Sequence, residues 1–166
     1  MNPNEFLEKV RNPELVNTIK SDSLAKLDKM GVPNAHIPES EEPRYPGDIT
    51  ALELKALGKL YGEFMGWAAY CKHLFQLKEA DVLLAKNMVS QARRWAMRER
   101  GISGATKKEK DLIDTDETVL QLEAVQTEFE VQRTTLEARL DWFDECAKAL
   151  SREITRRQME LERTHL

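Results

Sequence analysis

The chain has few of the residues that interrupt helices. Its 166 residues include seven glycines and six prolines, and the last proline is Pro46. Because proline breaks a helix and glycine weakens it, this scarcity favours long helices over a disordered or fibrous chain. Two long stretches, Thr50–Arg100 and the residues after 110, are separated by a short segment that contains Gly101 and Gly104. We therefore predict an all-α protein: a long, antiparallel, coiled-coil-like helical hairpin preceded by a short N-terminal helix.

Histidine and cysteine are too few and too scattered to form a metal or redox centre. The three histidines, His36, His73 and His165, lie far apart, and Cys71 and Cys146 stand singly in helical patterns. Neither set has the spacing of metal ligands or of a redox pair. Cys71 and His73 are two residues apart, so on a helix they point in different directions and cannot form a nucleophile and base pair. We expect no metal, no cofactor and no enzymatic activity.

Long apolar runs are also missing. No window reaches the roughly 18 apolar residues of a membrane span, and the first residues lack the features of a secretory signal. We therefore expect no membrane partner and a cytoplasmic location. Because long helices bury little surface per residue, we also expect the chain to assemble as a homo-oligomer.

The chain divides into three predicted regions. Residues 1–31 form a short N-terminal helical segment, with a helix over about 12–29 that Asn12 can cap. Residues 32–49 form a linker with four prolines and several acidic residues, expected to be an extended, flexible tether. Residues 50–166 form the long helical hairpin, whose basic tip lies at 93–110.

Apolar residues at alternating spacings of three and four run along both predicted long helices. Thr50 and Glu53 have the spacing of a capping box for the first helix, and Asp114 or Thr115 can cap the second. After Leu74 the apolar stripe is expected to avoid Lys78 and Asp81 and to continue through Leu77, Leu84, Met88, Ala92 and Trp95. The predicted seam, in the core or between oligomer subunits, comprises Leu57, Leu60, Phe64, Trp67, Leu74, Leu136, Leu140, Phe143, Leu150 and Ile154.

Positive charge is concentrated at the predicted turn. Residues 93–110 carry seven Arg and Lys against two Glu, whereas residues 111–145 carry eleven Asp and Glu against two Arg, in a chain of net charge -4. Grouped cations bind phosphates because each contact releases condensed counterions, and arginine and tryptophan can stack on unpaired bases. The predicted nucleic-acid-binding residues are Arg93, Arg94, Trp95, Arg98, Arg100, Lys107, Lys108 and Lys110. Alternatively, this cluster pairs with the acidic segment 111–145 of the facing or a neighbouring chain, and Trp95 belongs to the core.

Three stretches together resemble the bacteriophage recombination mediators of the UvsY type. They are an aromatic first helix (Leu60–Tyr70), a basic helix end that leads into a glycine-containing turn (Ala92–Gly104) and a closing helix (Leu136–Arg152). The similarity covers residues 51–160 and is one of residue types rather than of an invariant motif. The added N-terminal fifty residues, the segment 107–110 and the longer helices depart from the family.

The resemblance implies a small helical protein that forms a ring-like homo-oligomer and binds single-stranded DNA. It also implies that the protein helps a RecA-like recombinase to displace single-strand-binding protein, in the host cell cytoplasm if the chain is phage-encoded. The family's DNA contacts come from basic residues late in the first long helix, which correspond to Arg93 and Arg94 within a couple of positions.

The main alternative is a structural or adaptor protein, such as a phage assembly or scaffold coiled coil whose basic tip binds an acidic protein partner. Long heptad helices suit both functions equally. The salt dependence of nucleic-acid binding separates them, since it should be steep only for a contact with many phosphates.

Overall fold

A computed structural model describes residues 36–103 and 106–164. These residues form three helices: α1 (Leu54–Arg100), α2 (Lys107–Asp114) and α3 (Glu117–Thr164). No strand is present in this part of the chain, which confirms the all-α prediction. The antiparallel hairpin and the homo-oligomer remain predictions. The helix predicted at 12–29 lies outside the described residues.

The first long helix begins later than its predicted cap. The amide and the hydroxyl of Thr50 both donate to the Asp48 carboxylate, at 2.8 and 2.6 Å. Thr50 is thereby held in a local turn, an alternative to helix capping. The prediction of a capping box at Thr50 and Glu53 was therefore wrong, and α1 begins at Leu54.

The segment between the long helices contains a short helix that the sequence prediction missed. The Thr106 hydroxyl accepts a hydrogen bond from the Glu109 amide, and the Glu109 carboxylate accepts one from the Thr106 amide, both at 3.2 Å. This capping box starts α2, so the lysines predicted to lie at the turn between the two long helices lie on a helix of their own. α3 is capped by Asp116, whose carboxylate accepts from the Val119 and Thr118 amides. The predicted cap at Asp114 or Thr115 was wrong because both residues belong to the end of α2.

The described residues divide into two compact units, and the division falls within α1 and α3. We call residues 36–76 and 134–164 the aromatic unit, and residues 77–103 and 106–133 the basic unit. None of the described helices has the length and apolar character needed to cross a membrane.

The core of the aromatic unit is built from the predicted seam. Phe64 and Phe143 are fully buried with their ring centroids 6.0 Å apart, and the Trp67 ring stacks on Phe143 at 6.2 Å. Leu57 and Leu150 are also fully buried. The half-buried seam residues that pack against this core are Leu60, Trp67, Leu140 and Ile154. Leu74 and Leu136 are half-buried as well.

The proline-rich segment 36–53 packs against the helical part of the aromatic unit, which corrects the expectation of a flexible tether for residues 36–49 of the predicted linker. Pro43 is buried, the Tyr45 ring lies edge-on to Phe64 at 6.2 Å, and Glu42 pairs with Arg139. The Arg157 guanidinium donates to the backbone carbonyls of Leu52, Thr50 and Ile49. Apolar contacts and two arginines from α3, Arg139 and Arg157, thus hold a segment that has no regular secondary structure.

The basic unit has a smaller core made of aliphatic side chains. Its buried cluster comprises Met88, Val89, Ala92, Val119 and Leu122. The side chains that α1 buries in this unit are Val82, Ala85, Met88, Val89, Ala92 and Ala96.

The apolar stripe predicted for this part of α1 was wrong at two positions, because Leu84 and Trp95 are exposed. Lys78, which the stripe was expected to avoid, is instead part-buried. Its ammonium pairs with Asp81 at 2.9 Å and lies 4.7 Å from the centroid of the Phe129 ring. Both contacts compensate the positive charge of Lys78, so this residue can lie on the partly buried face of α1. The buried face of α1 therefore differs from the predicted one.

Candidate nucleic-acid interface

Two of the predicted nucleic-acid-binding arginines are paired with carboxylates of the same chain. Arg93 Nη2 lies 2.6 Å from Glu123 Oε1 and 3.2 Å from Asp114 Oδ1. Arg100 Nη2 lies 2.7 Å from Asp116 Oδ2, and its Nη1 donates to the Leu112 carbonyl. Because these arginines are seven residues apart, they lie on one side of α1.

Arg94 and Arg98 lie on a different face of α1 and are exposed. They are four residues apart, so their guanidinium groups are neighbours on the helix surface. Arg94 Nε donates to the Ser90 carbonyl at 3.2 Å. Neither residue forms an ion pair with a carboxylate among residues 36–103 and 106–164. Their charge is therefore not neutralised by a direct contact within the described structure.

Trp95 follows Arg94 directly and is 43% exposed. The alternative prediction, that Trp95 belongs to the core, was therefore wrong for the described structure. An exposed indole beside guanidinium groups places apolar aromatic surface and cations together, a combination that sites for single-stranded nucleic acid use.

The three predicted lysines, Lys107, Lys108 and Lys110, are exposed on the first turn of α2. None is ion-paired within the part of the chain that the structure describes. The N-terminal end of a helix carries partial positive charge, so lysines there are slightly unfavourable for helix stability. Their presence is therefore not explained by the stability of α2.

The electrostatic result is a divided basic cluster. Of the seven cations at 93–110, two are paired with carboxylates, which leaves five.

The carboxylate partners Asp114, Asp116 and Glu123 were not predicted individually, although the acidic segment was an alternative partner. A clearer signal was available for α2, since Thr106 and Glu109 have the spacing of a capping box.

The rest of the described structure offers little chemistry. It holds no group of three or more His, Cys, Asp or Glu side chains that could bind a metal ion. Cys71 and Cys146 are buried, unbridged and part of the same apolar cluster. Burial raises the pKa of both thiols, which lowers the fraction of the nucleophilic thiolate at neutral pH.

Comparisons with protein-family models, curated proteins and solved structures found no match to this chain.

Proposed function

We propose that the protein is a non-enzymatic single-stranded DNA-binding protein that acts as a recombination mediator. The observation that carries the proposal is the group of exposed cations without a carboxylate partner in the described residues. They are Arg94, Arg98, Lys107, Lys108 and Lys110. Such a group binds a polyanion through counterion release, and no catalytic residue is needed for it.

Trp95 favours a single strand over a duplex as the ligand. Unpaired bases expose their faces, and stacking on an aromatic side chain contributes about 1–3 kcal/mol per base. In a duplex these faces are stacked on one another and are not accessible to an indole. The neighbouring Arg94 and Arg98 would hold the backbone phosphates on either side of the stacked base.

The mediator role itself rests on the resemblance to the UvsY type. Under this proposal the protein helps a RecA-like recombinase to replace single-strand-binding protein, and several copies act together as a homo-oligomer. Avidity is the physical reason for the oligomer, because linked weak sites bind one long strand far more tightly than any single site. Mass measurement in solution, with and without an oligonucleotide, tests this part of the proposal.

The central test compares two double variants for binding to a labelled oligothymidylate at low ionic strength, followed by fluorescence anisotropy. Arg94→Ala with Arg98→Ala removes two candidate phosphate contacts and should weaken binding at least about tenfold. The slope of log K against log salt should become shallower by about 1.4, at roughly 0.7 per phosphate. Arg152→Ala with Arg163→Ala is the matched control, since it removes two exposed arginines of the aromatic unit.

Equal binding by the two variants would contradict the proposed site. Absence of salt-dependent binding by the wild-type protein would contradict the function as a whole. It would favour the alternative, a structural or adaptor protein of the phage assembly or scaffold type that binds an acidic protein partner. The exposed Leu84 and Trp95 side chains on α1 would then be candidates for protein contact.

A further inference from the structure

The ion pairs of Arg93 and Arg100 connect α1 to the periphery of the basic unit rather than to its core. Asp114 is the last residue of α2, Asp116 lies in the turn that follows, and Glu123 lies on α3. We call these three acidic residues the carboxylate clamp. Asp114 and Glu123 pair with Arg93, and Asp116 and the Leu112 carbonyl bind Arg100.

The pairs are accessible to a competing anion. The side chains of Arg93 and Arg100 are 43% and 38% exposed, so solvent reaches part of each side chain, while Nε of Arg93 is buried. Ion pairs with this exposure are weak because water and salt screen them. Phosphate oxygens suit a guanidinium fork as well as carboxylate oxygens do, so a phosphate can take the place of the clamp.

α2 is held by few apolar contacts. It is eight residues long, and Ile113 is its buried residue. The buried cluster of the basic unit, which includes Met88 and Leu122, comes from α1 and α3 alone. Displacement of the end of α2 would therefore leave that cluster intact.

We propose that the carboxylate clamp competes with phosphate for Arg93 and Arg100, so that a bound polyanion displaces the clamp and recruits both arginines. The inference rests on the proposed function and adds its regulation. Without a bound polyanion five cations are available, and with one bound Arg93 and Arg100 raise the number to seven. A small anion engages one arginine at a time, whereas a long strand replaces the clamp at both and so gains an advantage over small anions.

The test is a double-mutant cycle. Asp114→Asn, Asp116→Asn and Glu123→Gln together remove the charge of the clamp but keep its shape, and Asp116→Asn leaves a side-chain oxygen that can cap α3. The triple variant should bind oligothymidylate roughly five- to tenfold more tightly than a control with the same net charge. The control is Asp111→Asn, Glu117→Gln and Glu128→Gln, which neutralises three acidic residues of the basic unit that pair with no arginine in the described part of the chain.

The cycle is completed in a background of Arg93→Gln with Arg100→Gln. There the extra gain of the clamp variant over the control should vanish, because the released arginines are absent. An equal gain in both backgrounds, or no gain over the control, would overturn the clamp. A wild-type measurement supports the cycle: hydrogen exchange at the α2 amides should become faster on binding, and unchanged or slower exchange would count against displacement.

Inorganic polyphosphate separates the failure of the clamp from that of the proposed function. It supplies phosphates without bases, and the same cycle should show the same coupling with it. If polyphosphate shows the coupling and oligothymidylate does not bind, the clamp stands and DNA binding is wrong. If oligothymidylate binds but neither ligand shows coupling, DNA binding stands and the clamp is wrong.

Discussion

The aromatic unit and the basic unit contain segments of the same two long helices, yet they are stabilised differently. In the aromatic unit, large rings such as Phe64 and Phe143 fill the core, and the segment 36–53 adds a further layer. In the basic unit, aliphatic side chains and Met88 fill a smaller core that has no buried ring among the described residues, and arginines on α1 pair with carboxylates of α2, the following turn and α3. The same two long helices thus carry a core of large rings in one unit and partly exposed ion pairs in the other.

The largest expected effect is the loss of a ring from the aromatic unit. Phe143→Ala removes a fully buried side chain that contacts the Phe64, Trp67 and Trp142 rings. We expect the free energy of unfolding to fall by about 3–5 kcal/mol, measured by urea denaturation. Val119→Ala, at a fully buried site of the basic unit, should cost about 2 kcal/mol. A greater cost for Val119→Ala would reverse the comparison of the two cores.

A smaller effect is expected from the arginine that holds the segment 36–53. Arg157→Ala removes donors to the carbonyls of residues 49, 50 and 52 and one partner of Glu153, at a side chain that is 18% exposed. We expect a loss of about 2 kcal/mol in thermal or urea unfolding. The neighbouring Arg156 is the matched control: it is 50% exposed, its bonds among the described residues go to Glu153 and Glu160, and its replacement by Ala should cost less than about 1 kcal/mol. Similar losses would mean that the carbonyl contacts do not hold the segment.

Glu153, Arg156 and Arg157 also predict an acid-sensitive contribution to the stability of the aromatic unit. Hydrogen bonds from Arg156, and then from Arg157, lower the pKa of Glu153 from its ordinary 4.5 to about 2. Because the folded pKa is the lower one, the contribution is complete above about pH 4.5 and is lost as the pH falls toward 2. Glu153→Gln should therefore flatten the pH dependence of unfolding in this window. An unchanged pH profile relative to the wild type would contradict the lowered pKa.

The sequence predicted the aromatic unit better than the basic unit for a physical reason. The burial of Phe64 and Phe143 could be predicted from apolar spacing alone, because large apolar side chains that recur every three or four residues mark the buried face of a helix. Arg93, in contrast, looks the same in the sequence as Arg94, and only the fold places Glu123, thirty residues away, beside the first and not the second. Charge density locates a basic region, but tertiary contacts decide which of its cations stay available.

The docked segment and the start of α1 were beyond prediction for a related reason. Arg157 contacts carbonyls 105 to 108 residues earlier in the chain, and no local pattern encodes such a contact. At the start of α1, Thr50 and Glu53 had a valid capping spacing, but Asp48 provided a nearer acceptor for Thr50. When two local hydrogen-bonding motifs compete, small differences in geometry decide between them.

The smallest expected effects come from glycines, and they differ in sign between the units. Gly62 lies within α1 in the aromatic unit, and a methyl group added there would meet none of the described residues within 4 Å. Gly62→Ala should therefore stabilise the protein by about 0.5–1 kcal/mol through the lower entropy of the unfolded chain. Gly101, which follows α1 in the basic unit, has a φ of +62°, where an alanine is strained, and Gly101→Ala should destabilise by about 1–2 kcal/mol. Both changes are measurable by thermal unfolding, and destabilisation by Gly62→Ala would indicate a close approach to α1 at this position beyond the contacts of the described residues.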